Sequence, residues 1–150
     1  DKSHKYGLEI YDKFLITDEL FTSLNYSYIR AKIDKENEGN GAYNGKDLPG
    51  VSKHNITVNL GYDINNINTV LSHTYRNSAY AANDFANNFS QKQEAYNSTD
   101  LGTSYTYQNV ELFAKIQNLF DEDNGLWIED DTIYPVNFER TYYAGMKVKF

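Results

Sequence analysis

Hydrophobic and polar positions alternate along most of the chain with a period of two residues, the spacing that puts successive side chains on opposite faces of a strand. Leu20, Thr22, Leu24, Tyr26 and Tyr28 share one face, and Ser23, Asn25 and Ser27 the other. The cleanest alternation sets His54, Ile56, Val58, Leu60, Tyr62 and Ile64 against Asn55, Thr57, Asn59, Gly61 and Asp63. The same reading predicts strands over residues 6–17, 20–33, 54–64, 67–75, 100–107, 110–117 and 142–150, the last carrying Tyr142, Ala144, Met146, Val148 and Phe150 on one face.

The connections fall into two kinds. Tight turns are expected near Asp18, Asn65 and Gln108, and long polar loops over 34–50, 77–97 and 121–137, so short and long alternate strictly. In a meander successive connections lie at opposite ends, which gathers every tight turn at one end and every long loop at the other. Strands of roughly 8–14 residues exceed the usual 5–6 of soluble sheets and suit a tilted transmembrane strand. The fold class expected is therefore all-β, an antiparallel meander of about seven long strands forming part of a transmembrane β-barrel. Leu24, Val58, Leu60, Leu112, Ile116, Met146 and Val148 would face lipid, and their polar alternates the lumen.

Composition agrees. Among 150 residues there are 14 Tyr and 8 Phe but only one Trp, one Met and two Pro, a mixture that fits pleated surfaces and turns. The net charge of -7, with 14 basic residues scattered among 21 acidic ones, excludes nucleic acid as a partner. The absence of cysteine removes disulfide scaffolds, thiolate metal sites and cysteine nucleophiles. No apolar run reaches the roughly 20 residues of a spanning helix, and a mean hydropathy of -0.69 is compatible with a barrel, where only alternate residues meet lipid. The opening Asp-Lys-Ser-His-Lys-Tyr has no secretory apolar region, so the sequence is read as starting within a protein or at a mature end. No phosphate loop, His-Glu-x-x-His helix or nucleophile elbow is present, so neither an enzyme nor a cofactor is expected.

Several pieces, in order, resemble the C-terminal part of the barrel of TonB-dependent outer-membrane receptors. They are Gly7-Leu8-Glu9-Ile10, Thr17-Asp18-Glu19-Leu20 turning into Leu24-Asn25-Tyr26-Ser27-Tyr28, Leu48-Pro49-Gly50-Val51-Ser52-Lys53-His54, Gln117-Asn118-Leu119-Phe120-Asp121, and Arg140-Thr141-Tyr142-Tyr143-Ala144-Gly145 running to Phe150. The resemblance implies TonB-dependent uptake of a scarce nutrient, by family frequency a ferric siderophore, in the bacterial outer membrane. The partners it implies are outer-membrane lipid, the rest of the barrel and its plug, the TonB complex acting through that plug, and an iron chelate or similar ligand. Gly145, Val148 and Phe150 match the signal read by the barrel-assembly machinery, for which an ordinary amphipathic last strand is the plainer account. The family's barrel has 22 strands and an N-terminal plug. Residues 1–150 would then be one C-terminal segment without plug, unable to close or transport alone and prone to self-association along its unpaired edges. Two other classes are weighed: a complete eight-stranded outer-membrane barrel with a structural or adhesive role, its eighth strand coming from 77–97 or 127–136, and a soluble sandwich or lipocalin-like binder.

Candidate ligand contacts are Arg76, Tyr80, Phe85, Phe89 and Tyr96 in or beside the middle loop, and Trp127 in the last. Aromatics can grip a planar or chelate ligand and Arg76 can pair with an anionic one. Trp127 and Tyr134 also suit membrane anchoring. The acids Asp121, Glu122, Asp123, Glu129, Asp130 and Asp131 lack the ligand alternation of a calcium loop and read as a solvated face. His4, His54 and His73 are too dispersed to suggest a metal or haem site.

Overall fold

A computed structural model describes residues 1–37, 39–124 and 139–150 in full, and the backbone alone of 126–129 and 132–135. The described residues form eleven strands: β1 (Lys2–Leu15), β2 (Leu20–Lys35), β3 (His54–Ile64), β4 (Ile67–Arg76), β5 (Ala79–Tyr80), β6 (Lys92–Gln93), β7 (Tyr96–Tyr107), β8 (Val110–Gln117), β9 (Leu126–Glu129), β10 (Thr132–Pro135) and β11 (Thr141–Val148). Seven of them make one antiparallel sheet in the order β1-β2-β3-β4-β7-β8-β11. The pairs β5-β6 and β9-β10 are separate ribbons within the long loops.

Local chemistry explains the turns. The Thr17 hydroxyl accepts hydrogen bonds from the Glu19 and Leu20 amides at 3.2 and 3.0 Å, bending the chain between β1 and β2. Asn65 and Gln108 take left-handed φ of 52° and 53° at the first position of their two-residue turns, a conformation Asn tolerates well. All three turns lie at one end of the sheet, and the three long connections at the other.

The strand bounds differ from the sequence reading most at two starts, while β1 ends at Leu15 rather than 17 and β11 ends at Val148, short of the expected 150. β1 spans Lys2–Leu15, beginning earlier than residue 6, because β2 continues to Lys35 and offers a partner throughout. β7 starts at Tyr96 rather than Asp100: Arg76↔Tyr96, Tyr75↔Asn97 and Thr74↔Ser98 continue the β4 ladder through residues whose own propensity favours turns. Tyr96 is thus a strand residue and not part of the loop. Nor does any described part of 77–97 or 127–136 add an eighth strand to the sheet, since those ribbons pair only within themselves.

The register shows which residues share a face. Leu24 lies opposite Val58, Leu60 opposite Leu71, Leu71 opposite Leu101, Leu101 opposite Ile116, and Leu112 opposite Met146. All seven residues expected on the apolar face therefore lie on one face, and no described residue forms a second layer over it. Leu60 is 43% exposed and Met146 62%. Two aromatic rows border this face: Tyr6, Tyr26, Tyr28 and Tyr75 toward the long loops, and Phe14, Tyr62, Tyr105 and Tyr107 toward the turns. Along β3 the rows of Ile56 and Tyr62 are about six residues apart, roughly 20 Å.

The opposite face is polar. Asn59 Nδ2 donates to Ser23 Oγ at 3.0 Å, and the Ser72 hydroxyl donates to Asn59 Oδ1. Near the turns two glycines sit beneath aromatic rings: a Cβ on Gly61 would stand 2.1 Å from Phe21, and one on Gly145 would stand 2.4 Å from Phe113. Lys13 lies 4.2 Å above the Phe21 ring and Lys147 5.6 Å above that of Phe113, so the same Lys-Phe-Gly grouping occurs toward both edges of the sheet. The buried apolar residues among those described, Ala31, Ile33, Ala79 and Ala81, all lie at the long-loop end.

Candidate functional site

The first two long connections fold as one body. Beyond the end of β3, residues 45–48 run beside β2, with Gly45 N donating to Ile33 O at 2.7 Å and Leu48 N to Ala31 O at 2.9 Å. The second loop clasps this segment: Asn87 Oδ1 accepts from Asp47 N at 2.7 Å while Asn87 Nδ2 donates to Asp47 O at 2.9 Å. Gly50 N donates to Tyr80 O at 2.9 Å. Asp84, fully buried, organises the bend below, its carboxylate accepting from Asn88 N at 2.9 Å and Phe89 N at 3.1 Å. A buried carboxylate is tolerable there because backbone donors replace the water it has lost.

The structure disperses most of the sequence-derived candidates. Arg76 and Tyr96 come together as cross-strand partners, the guanidinium 4.8 Å over the ring. Tyr80 carries Lys92 over its ring at 4.6 Å. Phe85 is exposed and meets the Tyr43 ring at 6.0 Å, beside a 200 Å³ hollow shared with Ile33 and Leu48. Phe89 is half-buried and engaged through its amide. Trp127 belongs to β9 by its backbone, and its side chain lies outside the described residues, as does that of Tyr134. Asp130 and Asp131 also lie outside them, and no group of three metal-ligating side chains forms among the described residues.

One concavity joins Tyr96 to residues that sequence reasoning missed. A cleft of about 320 Å³ lies on the polar face at the loop end, between Tyr96, Asp100, Gln117, Asn124, Glu139 and Tyr143. β7 and β11 contribute alternate side chains and β8 its last residue, Gln117, and the loops close it: Asn124 Oδ1 accepts from Asn97 N at 2.7 Å, and Asp121 Oδ1 from Arg140 N at 2.8 Å. Asp100 is held by three donors, Lys115 Nζ at 3.3 Å, Asn118 N at 3.1 Å and Ser98 Oγ at 3.4 Å. Its described lining carries two carboxylates, Asp100 and Glu139, and no cation, beside hydroxyl and amide groups. Such a wall offers hydrogen-bonding groups and no partner for an anion. Of its lining residues, Tyr96 alone was among the sequence-derived ligand candidates; Asp100 stood in the sequence only as an acid on the polar side of an alternating strand.

Gly145, Val148 and Phe150 occupy the last strand and the tail after it. Val148 pairs with Val110 and Phe150 is fully exposed. For Gly145 the ring of Phe113 supplies a packing reason that requires no outside reader.

Comparison with known proteins places this geometry. The crystal structure of the ferric yersiniabactin uptake receptor FyuA from Yersinia pestis is similar with a TM-score of 0.74 at 18% identity, over 99% of this chain and 24% of that one. The ferric citrate transporter FecA in its unliganded form is similar with a TM-score of 0.83 at 21% identity, again over 99% of this chain and 24% of the other. The chain thus spans about a quarter of the length of either receptor, and at these identities the likeness concerns the fold. No curated protein sequence matches significantly. The model of the TonB dependent receptor-like beta-barrel family matches residues 1–119, so this seven-stranded sheet, bare on its apolar face, belongs to the TonB-dependent receptor barrel family.

Proposed function

We propose that the chain is the C-terminal segment of the barrel of an outer-membrane receptor that imports a scarce nutrient, a ferric siderophore being the leading substrate class. Proteins of this family are outer-membrane barrels of Gram-negative bacteria. The observation that carries the reading is the pairing of a bare apolar face, bordered by two aromatic rows, with a polar face that ends in a cleft among long loops. The apolar face meets lipid and the polar face lines the lumen. β1 and β11 each have a neighbour on one side only, and the open sides pair with the rest of the barrel, which holds the plug and through it engages the TonB complex. Exposed Phe150 at the end of the last strand is available to the barrel-assembly machinery.

The two similar receptors are named for ferric yersiniabactin and ferric citrate, both iron chelates. In this quarter of the barrel, the cation-free cleft suits the hydroxyl and carbonyl groups of a chelate better than its anionic ones. The role is transport and not catalysis. The rival eight-stranded barrel needs an eighth strand in the main sheet, and neither loop ribbon supplies one.

The test is the intact mass of the natural gene product in outer-membrane fractions, followed by radio-iron uptake from a panel of chelates with and without the gene. A product several times the 17.3 kDa of this chain, with uptake that depends on the gene, is expected. A 17.3 kDa product, or uptake indifferent to the gene, would overturn the reading.

A further inference from the structure

The floor of the polar cleft is ordered by the strand register. One residue beyond the Leu101↔Ile116 pair, Asp100 on β7 comes level with Gln117 on β8, and Gln117 pairs with Thr141 on β11. Three hydrogen-bonding side chains thus stand in a row across three strands, about 5 Å apart. Their chemistry is complementary. The carboxylate only accepts and the carboxamide does both, while the Thr141 hydroxyl, which donates to Glu139 O at 3.0 Å, keeps lone pairs to accept with. The Gln117 carboxamide has no partner among the described residues. Two residues along β11 toward the turns, on the same face, Tyr143 is 49% exposed, and among the described residues neither another ring nor a cation covers its ring. The nearby cations are already engaged: Arg76 lies over Tyr96, and Lys115 holds Asp100.

Resting on the import reading above, in which this cleft opens outward, we propose that it binds a neutral polyhydroxylated ring, a sugar unit. The ring's C–H face lies on Tyr143, and its hydroxyls meet Asp100, Gln117 and Thr141. A sugar is amphipathic in just this sense, with C–H groups over a face and hydroxyls around the edge. An exposed aromatic ring beside a carboxylate and a carboxamide matches both parts. Size supports the assignment, since about 320 Å³ lies at the low end of ligand pockets of roughly 300–1,000 Å³ and suits one or two rings rather than a large chelate in whole. Charge supports it too. The described lining carries Asp100 and Glu139 and no cation, so a neutral ring enters where an acidic one is repelled. The sugar unit belongs either to a saccharide cargo or to the glycosylated part of an iron chelate, and its recognition is the same in both.

The experiment uses the full-length receptor in a detergent without a sugar headgroup, titrated by calorimetry with glucose, galactose, mannose, N-acetylglucosamine and maltose, and with glucuronate and glucosamine as charged counterparts. At least one neutral sugar is expected to bind about tenfold more tightly than either charged one. Tyr143→Ala and Gln117→Ala should each weaken it about fivefold. Tyr143→Phe keeps the stacking face and should stay within about twofold of wild type. Lys13→Gln, on the same face at the turn end, should change nothing, and heat-modifiability on gels checks that every variant is folded. Suppression of gene-dependent iron uptake by excess of the bound sugar assigns the unit to the chelate, and gene-dependent entry of the labelled sugar assigns it to the cargo. Iron uptake indifferent to the sugar, with no entry of the sugar itself, would overturn the assignment, as would an equal loss in Lys13→Gln or a preference for glucosamine. A receptor that imports its chelate yet binds no neutral sugar overturns this site alone. One that binds sugar but supports no gene-dependent uptake of chelate or sugar overturns the import reading instead.

Discussion

The two ends of the sheet solve the same problem differently. At the turn end the chain reverses in a few residues, and the polar face is packed by rings lying on glycines, Phe21 on Gly61 and Phe113 on Gly145. At the loop end Ala31, Ile33, Ala79 and Ala81 are buried, as is Asp84, so the two loops and the extension of β2 enclose a small interior of their own. Between the ends the sheet has no core of its own, because no described residue covers its apolar face, which on the proposed function is left for lipid. The difference teaches that a barrel segment borrows its hydrophobic solvent where it crosses the membrane. Where it emerges into water it must build one.

The contrast yields ordered predictions. The largest effect is expected from Leu60→Arg on the apolar face, which should destabilise the full-length barrel by about 3 kcal/mol in urea unfolding from bilayers, while Asn59→Arg on the other face costs far less. Similar losses at both positions would mean the faces are assigned wrongly. Next, Asp84→Ala leaves the Asn88 and Phe89 amides without their acceptor. It should weaken the loop body by about 2 kcal/mol, seen as faster amide exchange across 77–95 with β3 and β4 unchanged. Exchange that quickened throughout the sheet would show that the two ends are not independent. Gly145→Ala forces a methyl against Phe113 and should cost about 1–2 kcal/mol, whereas the double variant with Phe113→Leu recovers most of it; failure to recover would return Gly145 to the assembly signal alone. The smallest effect belongs to Arg76→Ala. Losing the cation over Tyr96 should cost about 0.5–1 kcal/mol, read as faster exchange of the Tyr96 and Asn97 amides only.

The sheet was largely legible from the sequence because a period of two is a local property, and because Thr17, Asn65 and Gln108 carry their turn chemistry within a few residues. The same periodicity placed Leu24, Val58, Leu60, Leu112, Ile116, Met146 and Val148 on one face. The loops were not legible in this way. Asn87 meets Asp47 across 40 positions, and nothing near either residue announces the other. Tyr96 falls in the expected loop 77–97 because the neighbouring Asn97 and Ser98 favour turns, yet pairing with β4 outweighs that preference. The cleft was hidden for a related reason: Asp100, Gln117, Asn124 and Glu139 become neighbours only when three strands and a long loop close on each other. Gly61 gave no signal at all until the register set Phe21 opposite it.

The clasp between Asn87 and Asp47 has a consequence for anyone who would transplant binding specificity between receptors of this kind. Because each loop completes the other's hydrogen bonds and shares its small core, segments 36–53 and 77–95 form one exchangeable cassette. Moved singly, either would arrive with its partner's half of the lock missing. Grafted together, they should carry their shape into a new barrel intact.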